Sequence, residues 1–152
     1  MKNKYGFTLV EILVSLAIMA VAITGTLRIM NYVLQINETN EVQIPGMNAV
    51  EGMMDEIRNV PFDDISAKYD NTQFTLNILT NRGIPHVGTV DIQTIVPNYL
   101  LRVKIVLCWQ QKTRVIGEDT NLNGFLDGGE DTDGNGELDS PCFVEAMIRY
   151  ET

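Results

Sequence analysis

The chain has 152 residues, 45% of them hydrophobic, with 20 acidic against 11 basic residues and a formal net charge of −9. Ordinary apolar content with only 12 glycines and 5 prolines excludes a fibrous or disordered chain. One hydrophobic run takes about twenty residues, which leaves room for one small domain with one modest core.

The run is GFTLVEILVSLAIMAVAITGTL, from Gly6 to Leu27. Lys2 and Lys4 precede it, and no A-x-A-like site follows in TGTLRIMNY, so an ordinary cleaved secretory signal does not fit. Ile12 to Leu27 is free of charge, and counting from Phe7 gives the roughly 20 residues that span a bilayer as a helix. Basic residues before the run and an acidic chain after it place the start in the cytoplasm and the bulk outside, a single pass. Glu11 is the exception inside the run. A charge in a membrane helix costs about 2.5–3.5 kcal/mol near the centre and calls for a partner. The next basic residue is Arg28, so no partner is near it along this chain, and a neighbouring molecule could supply one.

A short basic leader ending in glycine, then Phe-Thr-Leu-Val-Glu and an apolar helix, resembles the class III signal of type IV pilins and of type II secretion pseudopilins. The resemblance implies cleavage by a prepilin peptidase between Gly6 and Phe7, and methylation of the new N-terminus at Phe7. It further implies that Glu11, fifth in the cleaved chain, pairs with the α-amino group of an adjacent subunit and fixes register between apolar helices. Tyr5, where the family pattern has a basic residue, departs from it. The implied location is the bacterial inner membrane, with the C-terminal domain in the periplasm and a filament as the assembled form.

Beyond the membrane the helix is expected to continue. Met47, Val50, Met54 and Ile57 recur at three- and four-residue steps between polar neighbours, an amphipathic stripe suited to lying on a sheet. Pro45 should kink or locally break it, and Pro61 should end it. Alternation then predicts strands in QFTLNI (Phe74, Leu76, Ile78), in VGTVDIQTIV, in LLRVKIVLCW (Leu101 to Trp109) and in CFVEAMIRY. Trp109 is read as core, its indole needing one hydrogen-bond partner. The fold class is therefore α+β: a long N-terminal helix, its first half membrane-spanning, packed on a small antiparallel sheet as in pilins.

Residues 118–142 read EDTNLNGFLDGGEDTDGNGELDSPC and contain a repeat of period 12. Each copy puts oxygen side chains at its first, third, fifth and ninth places and glycine at its sixth, the pattern of a calcium loop, because glycine permits the turn that wraps alternate side chains round an ion. The first copy offers Asp119, Asn121, Asn123, Asp127, the Phe125 carbonyl and Glu130 at the twelfth place. The second offers Asp131, Asp133, Asn135, Asp139 and the Glu137 carbonyl, but its twelfth residue is Cys142, so a second ion is less completely specified than the first. This copy resembles the tandem aspartate loops of dockerins and thrombospondin type 3 repeats. Residues 118–139 hold eight acids and no Lys or Arg, and calcium would relieve their repulsion.

Cys108 and Cys142 flank this segment, and in an exported domain they should form a disulfide, as many pilins do. Closing that loop is worth about 3.8 kcal/mol on the chain-entropy estimate. Cys108 falls on the Arg102 and Lys104 face, so the bond is expected on the outer surface. His86, the single histidine, reads as a loop residue, and no nucleophile, phosphate or zinc motif marks an enzyme. Residues 7–152 keep nine bases against the 20 acids, which argues against nucleic acid as a partner.

The organisation expected is a leader at 1–6, a transmembrane and assembly helix at 7–28, an amphipathic continuation at 29–60, and a sheet domain at 61–152 carrying the calcium insertion at 118–142. The partners are other pilin or pseudopilin subunits, the peptidase and the inner membrane. The competing reading is a membrane-tethered calcium-binding module that never polymerises, which would need neither Gly6 nor Glu11.

Overall fold

The structure, a computed structural model, describes residues 8–150, and at positions 35 and 37–39 the backbone alone. It divides into two compact units, residues 1–40 and 41–152. Helix α1 is Leu9–Arg58, 50 residues long. Its stretch Leu9–Leu34 is the one helix among the described residues long and apolar enough to cross a membrane, and its apolar side chains from Leu9 to Leu34 are exposed. A long, largely apolar helix with its side chains exposed is consistent with membrane anchoring.

The second unit is α+β. The end of α1 lays Val42, Val50, Met54 and Ile57 into the core, with Met47 partly buried beside them, while Asn48, Glu51, Asp55 and Arg58 face water, as the stripe predicts. Pro45 does not break the helix. Burial of its neighbours Val42, Gly46 and Val50 secures the turn on both sides, which offsets the one backbone bond proline cannot make. At Gly46 a Cβ would lie 2.7 Å from Leu107 Cδ2 and 3.3 Å from Cys142 Sγ, so glycine lets helix and sheet approach closely.

After α1 a second helix, α2 (Phe62–Tyr69), follows Pro61 with Asp63 and Asp64 in its first turn and Lys68 in its last, the charge order a helix dipole favours. The alternation reading missed it. QFTLNI is only half strand: β1 is Thr72–Phe74, and α3 (Asn77–Thr80) begins after Leu76, burying Leu79 and leaving Ile78 exposed. The carbonyl of Leu76 accepts from Leu79 and Thr80, and that turn is a local choice the pattern of apolar residues does not report. The remaining strands are β2 (His86–Val96), β3 (Leu100–Gln111), β4 (Arg114–Ile116) and β5 (Phe143–Arg149).

All pairings are antiparallel in the order β1-β2-β3-β4, with β5 on β3 beside β4. Strand β3 is the centre. Its Leu101, Val103, Ile105, Leu107 and Trp109 join the helix side chains in the main core, while Val106 and Cys108 form a second small cluster on the other face with Val87, Leu122 and Leu138. Leu122 and Leu138 belong to the acidic segment, which is the connection from β4 to β5 and covers the outer face of the sheet. The half-buried strand expected from sequence is thus buried on both faces. Trp109 is core as predicted, but its buried Nε1 has no hydrogen-bond partner among the described residues.

Candidate functional site

Two places concentrate the residues singled out by sequence. At the start of α1, Glu11 stands in the first helical turn, where its backbone N–H donates to Thr8 Oγ1 at 3.3 Å and that of Ile12 to the Thr8 carbonyl at 3.2 Å. Thr8 therefore caps the helix that carries the acid. Among the described residues no cation pairs with the Glu11 carboxylate, which lies on a helix otherwise uncharged through Leu27. Gly6 and Phe7, the expected cleavage junction, lie outside the described residues.

The second place is the 118–142 segment, where the two copies share a common set of hydrogen bonds. Asp119 is fully buried, and its two oxygens accept the backbone N–H groups of Asn123 and Gly124 at 3.0 and 2.7 Å. Asp131 does the same for Asn135 and Gly136 at 3.2 and 2.9 Å. Asn121 and Asp133 each accept from the residue two places on, as do Asn123 and Asn135. The amide of Asn123 donates to Asp127 and that of Asn135 to Asp139, at 2.7 and 2.6 Å. Gly124 and Gly136, the sixth residues, have φ of 82° and 76°, a left-handed turn where any side chain would be strained. At the fourth place Gly134 has φ 78°, whereas Leu122 adopts 57° despite its side chain, which packs, partly buried, against the Val87, Val106 and Cys108 cluster.

The copies differ in sequence at the twelfth place and yet agree in space. Glu130 closes the first copy by accepting from Thr120 N at 2.8 Å and from Asp127 N at 3.0 Å, the second and ninth residues. In the second copy the equivalent donors are Thr132 N and Asp139 N, and they go to Glu118, at 2.8 and 3.2 Å. Glu118, one residue before the first copy, thus stands where Cys142 offers no carboxylate. Carboxylate oxygens of Glu118, Asp133 and Asp139 lie within 4.8 Å of one another. Sequence reasoning missed this residue because it searched within each twelve-residue frame. The signal available was the odd acid left outside the repeat.

Long-range bonds hold the segment down. Gln73 Nε2 donates to the Asn123 carbonyl and Thr89 Oγ1 to the Gly124 carbonyl, both from the sheet to the first copy. The second copy is held by charge: Arg102 makes a bidentate contact with Glu137 and another with Glu145, and Lys104 Nζ reaches Glu137 Oε2 at 3.0 Å and Asp139 Oδ1 at 2.7 Å. The segment contains no base of its own, but the strand beneath supplies two. Arg102 and Lys104 hold the Glu137 carboxyl down at about 2. Lys104 likewise lowers Asp139, Arg102 lowers Glu145, and the Thr120 hydroxyl lowers Glu130. Arg102 itself is raised by Glu137 and Glu145; burial pulls Lys104 down, but its bonds to Asp139 and Glu137 raise it on balance. Glu137 was expected to matter only through its carbonyl, and its side chain proves to be the anchor.

Neither cysteine is bonded to the other in this structure. Both are buried thiols: Cys108 lies under the acidic segment near Gly117 and Ser140, and Cys142 lies in the main core near Gly46. Neighbours on one antiparallel ladder alternate faces, and Cys108 follows Leu107, whose backbone N–H donates to the Cys142 carbonyl, so the two thiols end on opposite sides of the sheet. The structure gives the expected outer-surface disulfide no support. Burial pushes both thiols up to about 11, which keeps them protonated and unreactive at neutral pH. His86 is structural. Its Nε2 accepts from Leu76 N–H at 2.7 Å and its Nδ1 lies 2.8 Å from the Ile84 carbonyl, which ties the start of α3 to β2.

Residues 1–27 match the family model for the prokaryotic N-terminal methylation motif. That stretch takes in the basic leader, Gly6, Phe7 and Glu11, and it supports a pilin- or pseudopilin-type protein, a structural subunit in preference to an enzyme. The motif implies processing by a prepilin peptidase and assembly with other pilin subunits, and with the apolar helix it is consistent with membrane anchoring. No curated protein and no solved structure matches the chain.

Proposed function

We propose that the chain is a minor pilin or pseudopilin of a type IV pilus or type II secretion filament. It is cleaved between Gly6 and Phe7, methylated at Phe7, and assembled through α1 with its sheet domain on the periplasmic side. The observation that carries this reading is the methylation motif together with a Glu11 carboxylate that pairs with no cation among the described residues. An anchor alone gains nothing from an acid in lipid, whereas a matched charge between subunits sets the register of otherwise interchangeable apolar helices. Mass spectrometry of the membrane-extracted protein tests processing. An N-terminus at methylated Phe7 is expected, and one still at Met1 in cells with active peptidase overturns the reading in favour of a tethered module.

Calcium stabilises the exposed segment in this proposal. In the first copy the ligands are Asp119, Asn121, Asn123, Asp127, Glu130 and the Phe125 carbonyl. In the second they are Asp131, Asp133, Asn135, Asp139, the Glu137 carbonyl, and Glu118 in the role of the missing twelfth residue. The like placement of Glu130 and Glu118 across the two copies supports two sites, and six or more oxygens per copy suit a hard divalent cation. Arg102 and Lys104 offset only part of the eight acids, which leaves charge for calcium to neutralise. Thermal melting in calcium and in chelator tests this. Equal midpoints would remove the metal from the account.

A further inference from the structure

Lys104 has three acids around it and bonds two of them. On the sheet it sits directly opposite Asp91 of β2. Opposed residues in an antiparallel pair have Cβ atoms about 4.5–5.5 Å apart, so a lysine and an aspartate there would ordinarily pair. Lys104, 5% exposed, turns away instead and spends its ammonium on Asp139 and Glu137. Asp91 is left half-buried with one amide donor, Gln93 Nε2 at 3.3 Å. Burial, then Asp70 and Glu137, raise its carboxyl, with Arg102 only partly offsetting them. Arg102 is committed to Glu137, Glu145 and Gln93. Lys104 and Asp91 line the same cleft of about 170 Å³, with Leu126 and Leu138 of the acidic segment also in its lining. A long flexible side chain therefore has both an alternative acid and room to reach it.

We propose that Lys104 is a two-seat charge switch: it holds Asp139 and Glu137 while the second copy is metal-free and crosses the cleft to Asp91 when calcium takes Asp139. The inference rests on the calcium reading above and supplies its regulation. An ammonium 2.7 Å from Asp139 Oδ1 occupies the oxygen an incoming ion needs and repels that ion at short range. Calcium must displace it, and the displacement is affordable only because Asp91 receives the charge. In the first copy the matching aspartate, Asp127, accepts instead from the neutral amides of Asn121 and Asn123. The first copy thus loads at lower calcium than the second, and loading of the second pulls on β2 through Asp91.

The test is calcium titration by calorimetry on the full chain in detergent micelles, with the second-copy event identified as the one lost in Asp133→Asn. Lys104→Met is expected to tighten that event and Asp91→Asn to weaken it, each about fivefold, with Asp91→Asn having no effect in the Lys104→Met background. An Asp91→Asn effect of equal size in both backgrounds means a general loss of negative charge and overturns the switch. So does a wild-type chain with a single event at the first copy. No calcium event at all overturns the calcium reading itself. Should Lys104→Met fail to melt cooperatively in chelator, the calcium-loaded structure of the wild type decides. Nζ within hydrogen-bond reach of Asp91 is expected, and Nζ still on Asp139 refutes the proposal.

Discussion

Replacing Glu118 by glutamine separates a residue that merely precedes a calcium loop from one that completes it. In chelator the change weakens the two backbone bonds from Thr132 and Asp139 and forces one amide N–H against a donor, at a cost of about 1 kcal/mol. On the calcium reading, the second ion also loses the carboxylate proposed to complete its site. At a calcium concentration 100 times the dissociation constant, one ion contributes about 2.7 kcal/mol to folding stability. For a unit the size of residues 41–152, about 4 °C of midpoint accompanies each kcal/mol. The midpoint difference between calcium and chelator should therefore shrink by about 10 °C in Glu118→Gln, and by a like amount in Glu130→Gln, the matching change in the first copy. Differential scanning calorimetry reads both. If Glu118→Gln keeps the full wild-type calcium shift while Glu130→Gln loses it, the like placement of the two glutamates has no bearing on metal binding and the second site falls.

Glu11→Gln should leave cleavage intact by mass spectrometry but remove most sheared filaments seen by electron microscopy, since stranding one member of a desolvated ion pair costs about 3–5 kcal/mol. In chelator, stability should fall as pH drops from about 4.5 to about 2: the folded Glu137 carboxyl is depressed by Arg102 and Lys104, so its contribution is complete above its ordinary value and lost on protonation. Melts at successive pH values with wild type and Arg102→Met check this, and an unchanged acid profile in the variant would contradict the assignment. Gly46→Val should cost about 1–3 kcal/mol by chemical denaturation, because its Cβ would press on Leu107 and Cys142, both fully buried. A neutral result would mean that α1 does not approach β3 as closely there as described.

The twelve-residue repeat and the amphipathic stripe were legible because their information is local. Every spacing that defines them lies within twelve residues, and the Val50, Met54 and Ile57 face is buried as the period requires. Helices α2 and α3 and strand β4 escaped notice, since elements of three to eight residues show too few turns for a period to register.

What the amino-acid order determined by itself is the motif at 1–27, the apolar helix with its lone acid, the long central strand and the twice-repeated loop. Only the tertiary structure decided that Glu118 completes the second copy, that Arg102 and Lys104 hold down its acids, and that Cys108 and Cys142 face apart. The reason is one piece of topology. Strands β4 and β5 pair with the same edge of β3, so the chain between them must fold back over the outer face, and its two ends, with Glu118 at one and Asp139 near the other, come together. No periodicity along the chain records which strand edge a later segment will share, because that is settled by the burial of Val106, Cys108, Leu122 and Leu138 against one another.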